Sequence, residues 1–182
     1  MKKTVLVFTM IFSMIMNICA QEVTVKEPDF VEETLMLLSD SYAEPLKREN
    51  GFFQFVGGWT KVKTMLVVDG IRSHNYTVKG KSTTRLIIKA KDNQTDPNSF
   101  ISIFKFVIKK DQRRYDLAEK GMSGKYKTHN LASINYIAKK YGESSYLITM
   151  YGLTPGEYGI VIGDPNTTNT KNEWKVTTFT VE

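Results

Sequence analysis

From Glu33 to Val181 the chain holds no sustained helical period; it breaks into short runs of β-branched and aromatic residues, each closed by Gly, Pro, Asn or Asp. The runs are Glu33–Ser39, Ala43–Lys47, Thr60–Val68, Tyr76–Val78, Thr84–Ala90, Phe100–Lys109, Leu131–Lys139, Ser145–Tyr151, Glu157–Ile162 and Trp174–Val181. Several alternate, with Val62, Thr64, Leu66 and Val68 on one face, and Leu86, Ile88 and Ala90 on another. Phe100–Lys109 is the most apolar and reads as a central strand. Gly51–Gly58, with its Gly57-Gly58 pair, reads as a turn or bulge, and the polar stretch Lys110–Asn130 as a long connection or a short helix. Gly163–Asn172 reads as a hairpin loop. The pattern predicts an all-β fold, a sandwich or barrel of about 8–9 antiparallel strands, one domain over 31–182 behind an extended tail over 21–30.

The beginning of the chain has a different character. Lys2 and Lys3 precede an apolar run from Val5 to Met16, and Ala20 offers a small residue before polar Gln21 and Glu22. This reads as a signal peptide over 1–20, too short for a comfortable membrane span. Cys19 is the single cysteine; Met16, Asn17 and Ile18 before it make a poor lipidation signal, so cleavage after Ala20 is the favoured reading. An exported domain without disulfides must stand on its core, and about 160 residues bury roughly 70% of their unfolded surface.

The formal charge of +6 falls to +4 once Lys2 and Lys3 leave. A mild positive balance suits acidic surfaces such as anionic polysaccharide, and without an arginine stripe it argues against nucleic acid.

Leu153-Thr154-Pro155-Gly156-Glu157-Tyr158 precedes a β-rich run. It resembles the corner before the penultimate strand of immunoglobulin-like sandwiches, where Leu packs inside, Pro and Gly shape the turn, and Tyr bonds back to upstream backbone. With Asp96-Pro97, the basic-ended strand Ile101–Lys109 and the segment Lys140–Tyr146, the layout also resembles small exported β-sandwich proteins of uncharacterised function from gut-type bacteria. Together the resemblances imply an immunoglobulin-like antiparallel β-sandwich of about 8–9 strands and an exported location, with no activity to transfer.

No residue pattern points to catalysis, a metal or a cofactor. His74 and His129 have no second ligand at zinc spacing. Asp92, Asn93, Asp96 and Asn98 offer oxygens without the spacing of a calcium loop, and Glu32-Glu33 is the one adjacent acid pair near the tail. Two clusters stand out as ligand candidates. Lys109, Lys110, Arg113 and Arg114 crowd a strand end, where they could grip an anion or merely blunt an edge. Tyr126, Tyr136 and Tyr141, with Tyr146 and Tyr151, lie among Lys125, Lys127, Lys139 and Lys140, where rings could stack on sugars or serve as half-buried structure. The reading is an exported non-enzymatic binding or accessory module of the cell envelope, its partner an anionic polysaccharide or an envelope protein. The alternatives are a carbohydrate-active hydrolase built from scattered carboxylates and a structural subunit of an envelope assembly.

Overall fold

The computed structural model describes residues 22–58, 61–80, 82–121, 126–128, 133–163 and 173–182. The expected leader with Cys19, His129 and the loop over 164–172 lie outside the described residues. Among the described residues no helix is long and apolar enough to cross a membrane.

The chain is all-β. A five-stranded antiparallel layer, sheet A, has the order β11 (Ile137–Tyr141), β12 (Ser145–Tyr151), β6 (Thr83–Lys89), β1 (Thr34–Leu37), β2 (Ala43–Leu46). The second layer, sheet B, runs β10 (Tyr126–Thr128), β9 (Gln112–Gly121), β4 (Lys61–Asp69), β3 (Arg48–Gly57), β14 (Glu173–Val181), β13 (Gly156–Ile162), β7 (Ile101–Lys105). Two short strands flank it: β5 (Thr77–Val78) pairs parallel with β14, and β8 (Val107–Lys109) pairs antiparallel with β9.

Among the described residues fourteen strands stand where about 8–9 are expected. Part of the excess comes from two segments read otherwise in sequence. Gly51–Gly58 is not a turn but most of β3, and Arg113–Lys120 is not a helix or connection but most of β9. Gly51 sits in mid-strand because a Cβ there would lie 2.9 Å from Leu66 Cδ1 and 3.1 Å from Val176 Cγ2; space decides the residue, not chain reversal. In β9 Asp116 lies on the outer face, where it meets Lys63 at 3.0 Å, while Tyr115 and Leu117 face a core.

Sheet B closes on itself. β7 bonds to β13, the next residue Phe106 still donates to the Glu157 carbonyl, and β8 then bonds to β9 at the far end of the strand order. One extended run thus joins both ends of the sheet and completes a ring. Its interior is narrow: Phe104 of β7 stacks on Tyr115 of β9 at 4.0 Å between centroids, and a Cβ on Gly159 would fall 2.6 Å from the Phe104 ring. Leu66, Val68, Phe106, Val161 and Val176 fill the rest.

The outside of the ring packs on sheet A. Ile101, Ile103, Tyr158, Ile160, Phe179 and Val181 meet Met36, Leu86, Ile88, Tyr146, Ile148 and Met150 in one continuous core. The alternation of β6 explains it: Leu86 and Ile88 turn inward while Arg85, Ile87 and Lys89 lie on the other face. Each of these apolar side chains removed from water contributes on the order of 1.5–3 kcal/mol, which is how the fold stands without disulfides.

Candidate functional site

Register places Leu35, Leu37, Arg85, Ile87, Lys89, Leu147, Thr149, Ile137, Lys139 and Tyr141 together on the outer face of sheet A. Yet Ile87 is fully buried there, because the N-terminal segment lies across the face. Residues 22–28 alternate as an extended chain should: Glu22, Thr24 and Lys26 are exposed, Val23, Val25 and Glu27 half-buried, Pro28 buried. The expected extended tail is therefore a docked strap.

Three groups hold the strap. Tyr141 donates its hydroxyl to the Val23 carbonyl at 3.3 Å and also to that of Val25. Thr24 donates its amide to the Asp40 carbonyl at 2.7 Å, and Asp40 pairs with Arg85. Glu27 accepts from Ser145 Oγ at 2.6 Å, Lys89 Nζ at 3.0 Å, the Ser144 amide at 3.3 Å and the Glu143 amide. Burial works against the Glu27 charge, but the Ser145 hydroxyl, the two amides and Lys89 together outweigh it and hold the carboxyl down to about 2.

Beside the strap lies a groove of about 1010 Å³ on the same face, with Glu22 and Val23 at its rim. Its walls carry Leu37, Arg85, Leu147, Lys139, Tyr141 and Tyr151. Tyr151 is 63% and Ile137 53% exposed. Aromatic, aliphatic and cationic side chains therefore meet in an open channel, a mixture suited to an extended chain that is apolar on one side and acidic on the other.

The sequence-predicted candidates divide sharply. Lys109 and Lys110 are exposed at the β8–β9 turn. Arg113 does not join them. It is fully buried inside the ring, donating to Glu49 Oε2 at 2.5 Å, to the Asp69 carbonyl at 2.9 Å and to the Gly70 carbonyl at 3.0 Å, so no surface anion can reach it. Arg114 points to the other face and donates to Gln112 at 2.8 Å. The four cations never converge, because neighbouring residues of a strand face opposite ways. Burial opposes the charge of Glu49, but Arg113 and the Thr178 hydroxyl reverse that and hold its carboxyl below the ordinary range. Glu157 closes the same end of the ring, accepting from the Ser73 amide at 2.7 Å and Thr180 Oγ1 at 2.9 Å.

The tyrosines are scattered as well. Tyr136 is half-buried, donates to the Ile101 carbonyl at 2.9 Å, and is pushed up to about 12 by burial, with Asp96 adding to the shift. Tyr146 donates to the Thr95 carbonyl. Tyr126 belongs to β10, and its side chain lies outside the described residues. Only Tyr141 and Tyr151 line the groove. Tyr158 is buried, stacks on Phe179 at 5.2 Å and donates to the Thr154 carbonyl at 2.6 Å. Leu153 packs against the main core, and Pro155 offers its carbonyl to Lys105 at 2.7 Å beside Gly156.

The loop acids serve the backbone. Asp92 accepts from the Gln94 amide at 2.8 Å, and Asp96 from the Asn98 amide at 3.0 Å. Glu32 pairs with Arg48 at 2.7 Å, and Glu33 accepts the Phe30 amide at 3.2 Å. Among the described residues no group of three or more His, Cys, Asp or Glu side chains could hold a metal ion.

The Glu27 cradle escaped the sequence reading. Its only trace there is the alternation Val23-x-Val25-x-Glu27, short enough to pass for a polar tail. No known protein family, curated protein or solved structure matches the chain.

Proposed function

We propose that the protein is an exported, non-enzymatic binding module of the cell envelope that holds an extended acidic polysaccharide along the outer face of sheet A. The groove beside the strap carries this reading. It offers the exposed ring of Tyr151 for a sugar face and Lys139 for carboxylates or sulfates, while Arg85 and Lys140, already engaged by Asp40 and Gln94, also line it. Its lining crosses four strands, from Leu37 of β1 through β6 and β12 to Lys139 of β11, a breadth that suits a polymer better than a compact substrate. Export rests on the residues of the leader, Lys2 and Lys3, Val5–Met16 and Ala20.

The immunoglobulin-like reading of the fold is part of the same proposal. It is supported by the local geometry at Leu153–Tyr158 and by a last strand that closes the core through Phe179 and Val181. The closed ring of sheet B is a departure from two open sheets, so the likeness rests on the corner.

Titration of the mature chain with polygalacturonate, a neutral glucan and a sulfated glycan tests the ligand. Micromolar to millimolar binding of the acidic polymers, weakened several-fold by Lys139→Glu and by added salt, is the expected outcome. Equal binding of neutral and acidic polymers, or none of either, would remove the proposal.

A further inference from the structure

The contacts that hold the strap read its sequence. An extended chain is demanded by the Tyr141 hydroxyl, which takes the alternate carbonyls of Val23 and Val25. Two side chains of that chain must turn toward the sheet, where Val23 and Val25 are half-buried. A carboxylate must follow two residues later, because Ser145 Oγ, Lys89 Nζ and two backbone amides all converge on Glu27. Gly142 makes the room: at φ +56 it takes the left-handed turn, and a Cβ there would lie 1.7 Å from Glu27 Oε1. This is a peptide-recognition site for the pattern Val-x-Val-x-Glu, already occupied by the chain's own strap.

What makes that occupancy internal is a short link. Residues 29–32 are all exposed between buried Pro28 and β1, with Phe30 at 75% and Val31 at 45%. Within the link Glu32 holds φ +67, a left-handed conformation unusual for a residue with a Cβ. None of the four residues belongs to either core, and the link is tied to the fold by polar contacts, the Glu32 amide donating to the Lys89 carbonyl at 2.9 Å and Arg48 pairing with Glu32 at 2.7 Å, so straightening it breaks exposed hydrogen bonds but unpacks no apolar side chain. Fully extended, it would carry the strap on the order of 15–20 Å from β1, far enough to leave the chain's own sheet.

We propose that the cradle formed by Lys89, Tyr141, Gly142 and Ser145 accepts residues 22–28 of a second copy, so that copies join by strap exchange. A segment exchanged between identical chains makes the same contacts it made internally, so the exchange costs little beyond the entropy of association. Reciprocal exchange closes a dimer; one-way exchange extends a row of copies.

Two variants of the full mature chain separate strap from cradle. Glu27→Gln disables the strap and leaves the cradle intact; Lys89→Met with Ser145→Ala disables the cradle and leaves the strap intact. Each alone should sediment as a monomer. Mixed at ~100 µM they should form a one-to-one complex seen by native mass spectrometry, since one working strap then faces one vacant cradle. A mixture that stays monomeric, with both variants folded by circular dichroism, overturns the proposal. Where a variant does not fold, the wild-type chain takes the test: a synthetic peptide of residues 21–28 in excess should shift the amide resonances of Gly142–Ser145. The same peptide with Gln for its Glu27 should not. Equal shifts from both peptides, or none from either, overturn it too.

Discussion

Two regions of the molecule combine the same side-chain types, Arg or Lys with Glu and a hydroxyl, to opposite ends. At the closed end of the ring, Arg113, Glu49, Thr178, Glu157 and Ser73 are turned on one another, all buried but Glu49, which is largely covered. On the outer face of sheet A, Lys89, Glu27 and Ser145 pin a strap, and Lys139 and Tyr151 beside it stay open in a groove. The first region spends its charges on closure. The second leaves some exposed. What separates them is strand direction and layer, not composition, since Arg113 and Arg114 are neighbours in sequence and only one is inside.

That contrast sets an order of expected effects. The largest belongs to the sealed end. Arg113→Ala would strip the counter-charge from Glu49, whose side chain is 16% exposed, and the donors from the Asp69 and Gly70 carbonyls, and should cost about 2–4 kcal/mol in urea unfolding. A loss under about 1 kcal/mol would mean the ring end is wetter than its contacts indicate.

Next comes the strap. The Glu27 carboxyl lies below its ordinary value when folded, so its contribution is complete above the unfolded value near 4.5 and disappears as pH falls from there toward about 2. The side chain is 16% exposed, so after allowance for nearby solvent the effect is roughly 1–2 kcal/mol. Unfolding curves of wild type and Glu27→Gln should therefore differ at pH 6 and converge near pH 2. A constant gap across that range would detach the carboxylate charge from strap docking.

Smaller still is the corner. Tyr158→Phe removes one hydroxyl bond to Thr154 while keeping the ring stacked on Phe179, and should cost about 1 kcal/mol in the same unfolding assay. At the foot of the order, Tyr151→Ala should move stability by no more than about 0.5 kcal/mol, because its ring is exposed. The same change should weaken acidic-polysaccharide binding several-fold in calorimetry, and that pairing of a silent stability effect with a binding loss is what marks a recognition residue.

Much of the framework is readable from residues alone. The alternation of Leu86 and Ile88, the apolar run that becomes β7, and the β-rich stretches behind β12, β13 and β14 place strands where strands occur. Strand β9 is hidden because its outward face carries Asp116 and Glu119, both turned to Lys63, and a strand that shows charge to water looks like a loop until its inward residues are known. Ring closure has no local signature. It depends on Phe106, where one extended run passes from β13 to β9, and only distant pairing determines that. The basic cluster misled for a simpler reason: adjacency in a strand separates side chains across two faces. The strap was overlooked because five alternating residues in a polar context carry too weak a pattern, although the fold gives them four partners for a single carboxylate.

One measurement addresses the division between a sealed end and a working face most directly. Backbone amide resonances of a chain spanning residues 21–182 can be followed during titration with polygalacturonate. The expected result is a set of progressive shifts at Arg85, Ile137–Tyr141 and Leu147–Tyr151, with the Lys109–Arg114 turn unmoved. Shifts confined to Lys109–Arg114, with the groove silent, would contradict it.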